Sequence, residues 1–522
     1  MDYDYIIIGS GFGGSVAALR LAEKGYRVLV LEKGRRLRAE DFPKTNWNLK
    51  KWFWLPPLRF KGLFKMTFFR HVTVLSGVGV GGGSLVYANT LPVPGDAFFK
   101  QGHWSSLADW KKELAPFYDK ARRMMGVAQN PLLKKGDHIL KEIAAEKGQG
   151  RRFRPTDVAV WFGKPLEETT DPYFKGQGPP RSGCTFCGGC MLGCRFNAKN
   201  TLDKNYLWFA EKAGVEIRAE REVLDVRPLN DDGSAGYRVV FKKSATLRSK
   251  KQSLTAHGVV FSGGVLGTVK LLLKLKKKSL PRLSDRLGFE VRTNSESLLG
   301  VTTRDKDIDF SEGIAISSIY HTDEHSHVEP VRYSAGSGFW RLLMAPVVSG
   351  RSLPVRLIKI IADILRHPRQ NFKAYFVRDW ARSTQILLFM QTINSTLRFK
   401  RTPWGMGSAM DRGAAPSAFI PEAQEIARRF AQKADGKPTA LLTESLLGIP
   451  TTAHILGGCP MGRDAVHGVV DRDQRVFGYK NMLVCDGSVI SANPGVNPSL
   501  TILALAERAM ERIPPRADVS DS

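Results

Sequence analysis

The stretch Asp4-Tyr5-Ile6-Ile7-Ile8-Gly9-Ser10-Gly11-Phe12-Gly13-Gly14 decides the fold, together with Val28-Leu29-Val30-Leu31-Glu32 that follows it. An apolar run of strand type meets glycines at Gly9, Gly11 and Gly14, and a helix-length segment, Ser15 to Lys24, leads into a second apolar run that ends in an acid. Strand, glycine turn, helix, strand and acid in that order predict a βαβ unit that holds a dinucleotide. Gly9 is expected to make the tight turn, Gly11 to let a pyrophosphate approach the backbone, and Gly14 to let the helix pack close to the strand. The helix amides then face the phosphates. Glu32 follows Gly11 by 21 residues, where a carboxylate can take the hydroxyls of a ribose.

Further along, Ser76-Gly77-Val78-Gly79-Val80-Gly81-Gly82-Gly83-Ser84 runs on to Asn89. Glycine at this density spends chain entropy without burying area in return, so the backbone here is expected to meet a ligand closely. Val223 to Val226, Tyr237 to Phe241 and Val259 to Phe261 read as strands, and Val265 to Leu275 as a helix that restores the nucleotide unit after an insertion. Gly313 to Tyr320 and Gln385 to Thr392 read as strands of a second sheet. The expected class is α/β: a Rossmann-like nucleotide-binding domain with a second α+β substrate domain built on an antiparallel sheet. Residues 1–300 form the first, with an insertion at about 100–205; 301–450 form the second; 451–522 return to the first.

Four other stretches carry a signal. Cys184, Cys187, Cys190 and Cys194 have the spacing of a ferredoxin-type cluster loop, with zinc as the other occupant and a reduced loop kept for its shape as the plain alternative. Lys44 to Arg70 interleaves Trp47, Trp52, Trp54, Phe64 and Phe68 with Lys and Arg and contains no acid. Its plain reading is packing over the nucleotide domain, and its sharper one is contact with a membrane interface. Pro354 to Arg366 reads as an amphipathic helix, with Leu357, Ile358, Ile361, Ile364 and Leu365 opposite Arg356, Lys359, Asp363 and Arg366. Core packing of the apolar stripe is the default, a headgroup layer the alternative. Trp104 to Met125 reads as a helical hairpin.

The 522 residues carry 78 Lys and Arg against 50 Asp and Glu, a net charge of +28. Such a surface attracts anions and says nothing about fold. No nucleic-acid-binding motif accompanies the charge, so no nucleic-acid partner is expected. The nucleotide strand starts at once, so no signal peptide is expected, and six cysteines point to a reducing, cytoplasmic compartment. The uncharged stretches His71 to Gly95 and Gly487 to Ala506 contain prolines and do not read as membrane spans.

The C-terminal part holds His454-Ile455-Leu456-Gly457-Gly458-Cys459, Asp486-Gly487 and Gly495-Val496-Asn497-Pro498. Pro498 fits the first position of a helix to about Ile513, and Asn497 fits its cap. With the N-terminal βαβ and the Gly79 to Asn89 run, these stretches resemble the glucose-methanol-choline (GMC) flavoprotein oxidoreductases, and within them are most similar to bacterial cholesterol oxidases with non-covalent FAD. The match spans both termini and is looser over 300–450.

The resemblance implies FAD held by Gly9, Gly11, Gly14 and Glu32, by Gly81, Gly82, Gly83, Ser84 and Asn89, by Val223 beside the adenine, and by Asp486, Gly487 and Asn497. No histidine lies in the Gly79 to Asn89 run, so no covalent flavin link is expected. The implied catalytic residues are His454, which takes the alcohol proton while hydride leaves carbon, Asn497, which holds the oxygen, and Glu329, which shifts a double bond after oxidation. The expected reaction is oxidation of a hydrophobic secondary alcohol, foremost a 3-hydroxysteroid such as cholesterol, at or near a membrane surface, with oxygen, a quinone or a cytochrome as acceptor. One alternative is a membrane-associated flavin dehydrogenase of another alcohol that passes electrons through an iron-sulfur cluster in the cysteine loop. A second, of another class, is a non-catalytic basic flavoprotein that binds lipid or a partner.

Overall fold

The structure, a computed structural model, describes residues 1–246, 249–411 and 415–517. Its first sheet is built on Tyr3–Ile8, which pairs in parallel with Val28–Leu31 on one side and Gln252–Phe261 on the other. Ile6 and Ile7 are fully buried, as strands covered on both faces require. Glu216–Arg218 extends the parallel part beyond Val28–Leu31. Met482–Val484 pairs in parallel with Val259, Val260 and Phe261, so the end of the chain closes the sheet that its beginning opened. Tyr237–Lys243 and Arg221–Pro228 add an antiparallel margin.

The helix Phe12–Glu23 lies against the C-terminal helix Ser499–Glu511, which also packs on Trp110–Met124. Glu507 clamps the three. Its buried carboxylate accepts from Arg20 at 2.8 Å and from Tyr206 at 2.8 Å, and pairs with Lys120 at 2.9 Å. Burial works against this charge, yet the hydrogen bonds and charges of Arg20 and Lys120 outweigh it and hold the carboxyl below the ordinary glutamate range. Where a helical hairpin is predicted over Trp104 to Met125, only Trp110–Met124 is α-helical, preceded by the short turn His103–Ser106. The Asp109 side chain caps it by accepting from the Lys112 amide, which stops the helix from starting earlier.

The second sheet is antiparallel, in the order Met344–Pro346, Gly436–Leu441, Ser297–Thr303, Thr384–Gln391, Ser326–Val331, Ser318–His321, Phe153–Pro155. Side chains alternate across it. Leu387 and Phe389 join Ile139, Ile143, Ile426 and Phe430 of the helices Lys135–Glu146 and Pro421–Lys433 in one core. Ile386, Leu388 and Met390 turn to the opposite face, with Val331, Met344 and Leu441. Glu329 is paired with Leu388, so the register puts its carboxyl on that same face.

The aromatic and basic stretch is expected to pack over the nucleotide domain; its buried part joins the second sheet's core instead, where Trp52 is fully buried and stacks on Phe64 at 4.8 Å between ring centres, while Trp340 meets it edge-on. The amphipathic helix also departs from its default. Leu353–Arg366 buries only Ile360 and leaves its apolar side outward.

Replacing Glu507 with alanine leaves Arg20 and Lys120 without their shared partner, which costs about 3–5 kcal/mol of stability at neutral pH, read from urea unfolding. Because the folded carboxyl is held low, this stabilisation is present above the ordinary glutamate pKa and fades as pH falls through the folded value. The gap between wild type and Glu507→Ala should therefore close in acid.

Candidate active site

A single cavity of about 1140 Å³ runs from the first glycine turn to the inner face of the second sheet. Gly9 and Gly11 line it at one end with Glu32 and Val223; Trp340, Met344, Leu388 and Leu441 line the other; His454 and Asn497 line it as well. Its size exceeds what a drug-sized ligand needs, and suits a dinucleotide with a substrate beside it.

Close backbone approach builds the nucleotide end. Gly9 has φ +105°, and a Cβ there would lie 2.3 Å from the Ser262 carbonyl oxygen. A Cβ on Gly14 would lie 2.1 Å from the Gly9 carbonyl oxygen, so the helix sits as close to the turn as backbone allows. At Gly11 the nearest atom is 4.0 Å away, which leaves open room where a phosphate would pass. The helices beginning at Phe12, Gly264 and Ser499 all open on the cavity, three positive ends in one groove. Open space at Gly11 with helix ends around it fits the pyrophosphate of FAD.

Glu32 lines this end with both carboxylate oxygens fixed: one accepts from the Ser10 hydroxyl at 2.8 Å, the other from the Gly34 amide at 2.8 Å. Gly82 and Gly83 line the cavity, whereas Gly81, Ser84 and Asn89 lie one layer behind. The Ser84 hydroxyl donates to the Gly81 carbonyl at 2.7 Å and accepts from the Leu202 amide, so it shapes the glycine turn from the rear. Asn89 is fully buried with φ +70°, and its amide group meets no partner among the described residues. Asp486 and Gly487 line the cavity; the Asp486 carboxylate accepts from Thr268 at 2.5 Å and from the Ser488 hydroxyl at 2.6 Å. Burial pushes its pKa up despite those hydrogen bonds.

At the junction of the two ends stand His454 and Asn497. His454 follows the short strand Thr451–Thr452, and its amide donates to the Thr452 hydroxyl at 2.9 Å. Its Nδ1 lies 2.9 Å from Glu296, a carboxylate with no exposed side-chain surface whose other oxygen accepts from the Ala453 amide at 2.9 Å. The carboxylate fixes the tautomer: Nδ1 carries the proton and Nε2 keeps its lone pair. Burial pulls the imidazole pKa down, but the charge and hydrogen bond of Glu296, with a smaller contribution from Glu329, outweigh it and raise the pKa above the ordinary value.

Asn497 does not cap the C-terminal helix. Pro498 occupies the cap position, where no side-chain hydrogen bond is made, and the Asn497 amide turns instead to Glu329, 3.4 Å away. The loop is free to do this because Asn493 fastens it to Gln391 and Ile393, beside the strand that carries Glu329's partner. The Asn497 carbonyl oxygen and one Glu329 oxygen have no partner among the described residues. Glu329 is fully buried behind Asn497, with His327 at 3.6 Å on its other side, while His325 is exposed and apart.

The cysteines do not converge on an ion. Cys184, Cys187, Cys190 and Cys194 line one small cavity, but no three His, Cys, Asp or Glu side chains among the described residues stand as ligands of a metal ion. Burial pushes two of these thiols up, Cys190 to about 11 and Cys184 higher. The loop is held by Lys199, a fully buried lysine that donates to the carbonyls of Leu85, Tyr87 and Cys190 at 2.8–3.0 Å and sits over the Tyr87 ring. Burial lowers its pKa to about 7. It ties the cysteine loop to the glycine run.

Glu296 and Lys199 escaped the sequence reading. The one local sign of Glu296 is the polar run Thr293 to Ser297, which leads directly into a buried strand.

A family model described as GMC oxidoreductase matches residues 357–506, and one for an NAD(P)-binding Rossmann-like domain matches 7–51. A cholesterol oxidase of Acinetobacter baumannii is 46% identical, covering 98% of this chain and 94% of its own. One of Mycobacterium tuberculosis is 44% identical over 99% and 92%. The crystal structure of pyridoxine 4-oxidase from Mesorbium loti shares the fold, with a TM-score of 0.60 and 15% identity over 98% of both chains. With relatives this similar from end to end, the chain belongs to the GMC oxidoreductase family.

Proposed function

We propose that this protein is an FAD-dependent alcohol oxidoreductase that oxidises a 3-hydroxysteroid such as cholesterol, with molecular oxygen as electron acceptor. The observation that carries this reading is the continuity of one cavity: a nucleotide groove opens without a wall into an apolar chamber, and His454 and Asn497 stand where the two meet. The end-to-end similarity to cholesterol oxidases supports the substrate class.

Gly9, Gly11, Gly82 and Gly83 would hold FAD through their backbone, Glu32 the ribose, Val223 the adenine, and Asp486 with Gly487 the flavin end. The chemistry FAD supplies when bound is acceptance of a hydride from the carbinol carbon. The chain supplies everything else. The chamber walls, Ile386, Leu388, Val331, Trp340 and Met344 among them, bury an apolar ring system and leave its hydroxyl at the polar junction. His454 Nε2 takes the hydroxyl proton, and Glu296 stabilises the imidazolium that results. Asn497 orients the same oxygen through its amide. The net change is alcohol and oxygen to ketone and hydrogen peroxide, with the proton passing through His454.

Glu329 is the residue for a second step. It would remove a proton from the carbon next to the new carbonyl and return it at the far end of the neighbouring double bond, which brings the two into conjugation. Asn497 stands between Glu329 and the chamber, so its amide must turn aside for this transfer.

Peroxide release with a 3-hydroxysteroid and with short alcohols decides the substrate class; turnover of short alcohols alone, or turnover only with an artificial acceptor, would reject the proposal. His454→Ala should lower kcat by about 10²–10⁴-fold while purified protein keeps its flavin absorbance. Glu296→Gln removes the charge that raises the imidazole pKa, so the neutral base persists to more acid solution and the acid limb of the kcat/KM profile moves to lower pH. Glu329→Gln should leave steroid oxidation within a few-fold and slow conjugation by about 10²-fold or more, read as accumulation of the unconjugated ketone.

A further inference from the structure

The helix Leu353–Arg366 is anchored through its polar side, with Arg356 and Asp363 half-buried. Arg356 donates to the carbonyls of Leu446, Gly350 and Leu447 at 2.8–3.2 Å, and Lys359 to that of Ser349 at 2.7 Å. Asp363 accepts from Lys437 at 2.6 Å and from Asn371 of the next helix, Pro368–Tyr375, at 3.1 Å. These contacts fasten the polar side to the protein. The apolar side faces out: Ile358 is 65% exposed, Leu365 74%, Phe372 63% and Phe376 70%. Single exposed leucines are ordinary, but a contiguous apolar face on two consecutive helices marks a contact surface.

We infer that this helical pair is a docking face that lies in the headgroup layer of an anionic lipid bilayer. Two observations select that occupant. Between Arg351 and Arg378 the chain carries seven Lys and Arg and one acid, Asp363, which is already paired with Lys437. Arg351, Arg366, Arg369 and Arg378, on the two helices or at their ends, are exposed and match a negative surface. The same charges disfavour a second copy of this chain, because a two-fold contact would set the like charges of both copies against each other. Leu353–Arg366, at 14 residues, is too short to span a bilayer, so the face lies in the surface layer.

Its position gives the docking a use. Leu353–Arg366 packs on the strand Met344–Pro346, and Tyr375 donates to the Met344 carbonyl at 3.1 Å, while the Met344 side lines the apolar chamber. A bilayer under the helices would lie against the outer side of that chamber's wall. The docking itself does not depend on which alcohol is oxidised.

The test is sedimentation of the FAD-loaded, full-length protein with vesicles of phosphatidylcholine, with and without phosphatidylglycerol. Wild type should cosediment with the anionic vesicles and bind at least roughly tenfold less to neutral ones or in high salt. The double variant Ile358→Glu, Leu365→Glu places two charges at positions that touch no core. It should lose at least roughly tenfold in vesicle binding with its flavin absorbance and unfolding midpoint unchanged. Equal binding by the variant, or no binding by wild type, would overturn the inference. So would a wild-type dimer by light scattering that the double variant turns into a monomer, because a second copy would then cover the face.

Discussion

Backbone from the two ends of the chain meets at the first glycine turn more closely than any side chain permits. A Cβ on Gly9 would strike Ser262, one on Gly13 would lie 1.7 Å from the Cys485 carbonyl oxygen, and one on Gly82 would strike Gly11. These contacts bring four segments that are distant in sequence around one point. The sheet order follows from them, with Met482–Val484 beside Gln252–Phe261, and so does the position of everything after Cys485. Asp486, Asn497 and the start of the C-terminal helix reach the cavity because Cys485 lies where Gly13 has left room.

The polar groups at the junction stay ordered for a related reason: each is held by the next. Glu296 spends one oxygen on the Ala453 amide and the other on His454, so the imidazole cannot turn without leaving a buried carboxylate short of a partner. Glu444, fully buried close by, accepts from Thr451 at 3.3 Å, and its pKa is pushed well above the carboxylate range by burial, with the Glu296 charge adding to the shift. Of these two neighbouring acids, only Glu296 has the imidazole as a partner.

Much of the nucleotide end was legible in the sequence because its signals are local. Gly9, Gly11 and Gly14 act within a few residues of one another, and the Glu32 spacing follows from the length of one helix. The junction was legible only in part. His454 and Asn497 came through resemblance, and the Asn497 environment was misread because a cap and a turn-out have the same local pattern; only the position of Pro498 separates them. Glu296 meets His454 across 158 residues, a contact that no local periodicity encodes. The helix Leu353–Arg366 teaches the same limit. Its amphipathic pattern shows that two faces differ, while which of them is buried depends on the carbonyls of Gly350, Leu446 and Leu447 that receive Arg356. The cysteine spacing was legible as a loop that gathers its thiols: Cys184, Cys187, Cys190 and Cys194 line one small cavity.

The alternation of the strand Thr384–Gln391 separates two tasks that proteins often find entangled. Leu387 and Phe389 hold the supporting helices, while Ile386 and Leu388 touch whatever fills the chamber. Mutation at one parity can resculpt the guest's outline, and mutation at the other can tune rigidity, each with little interference from its neighbour. A lineage built on this sheet can drift between bulky guests without first rebuilding its scaffold.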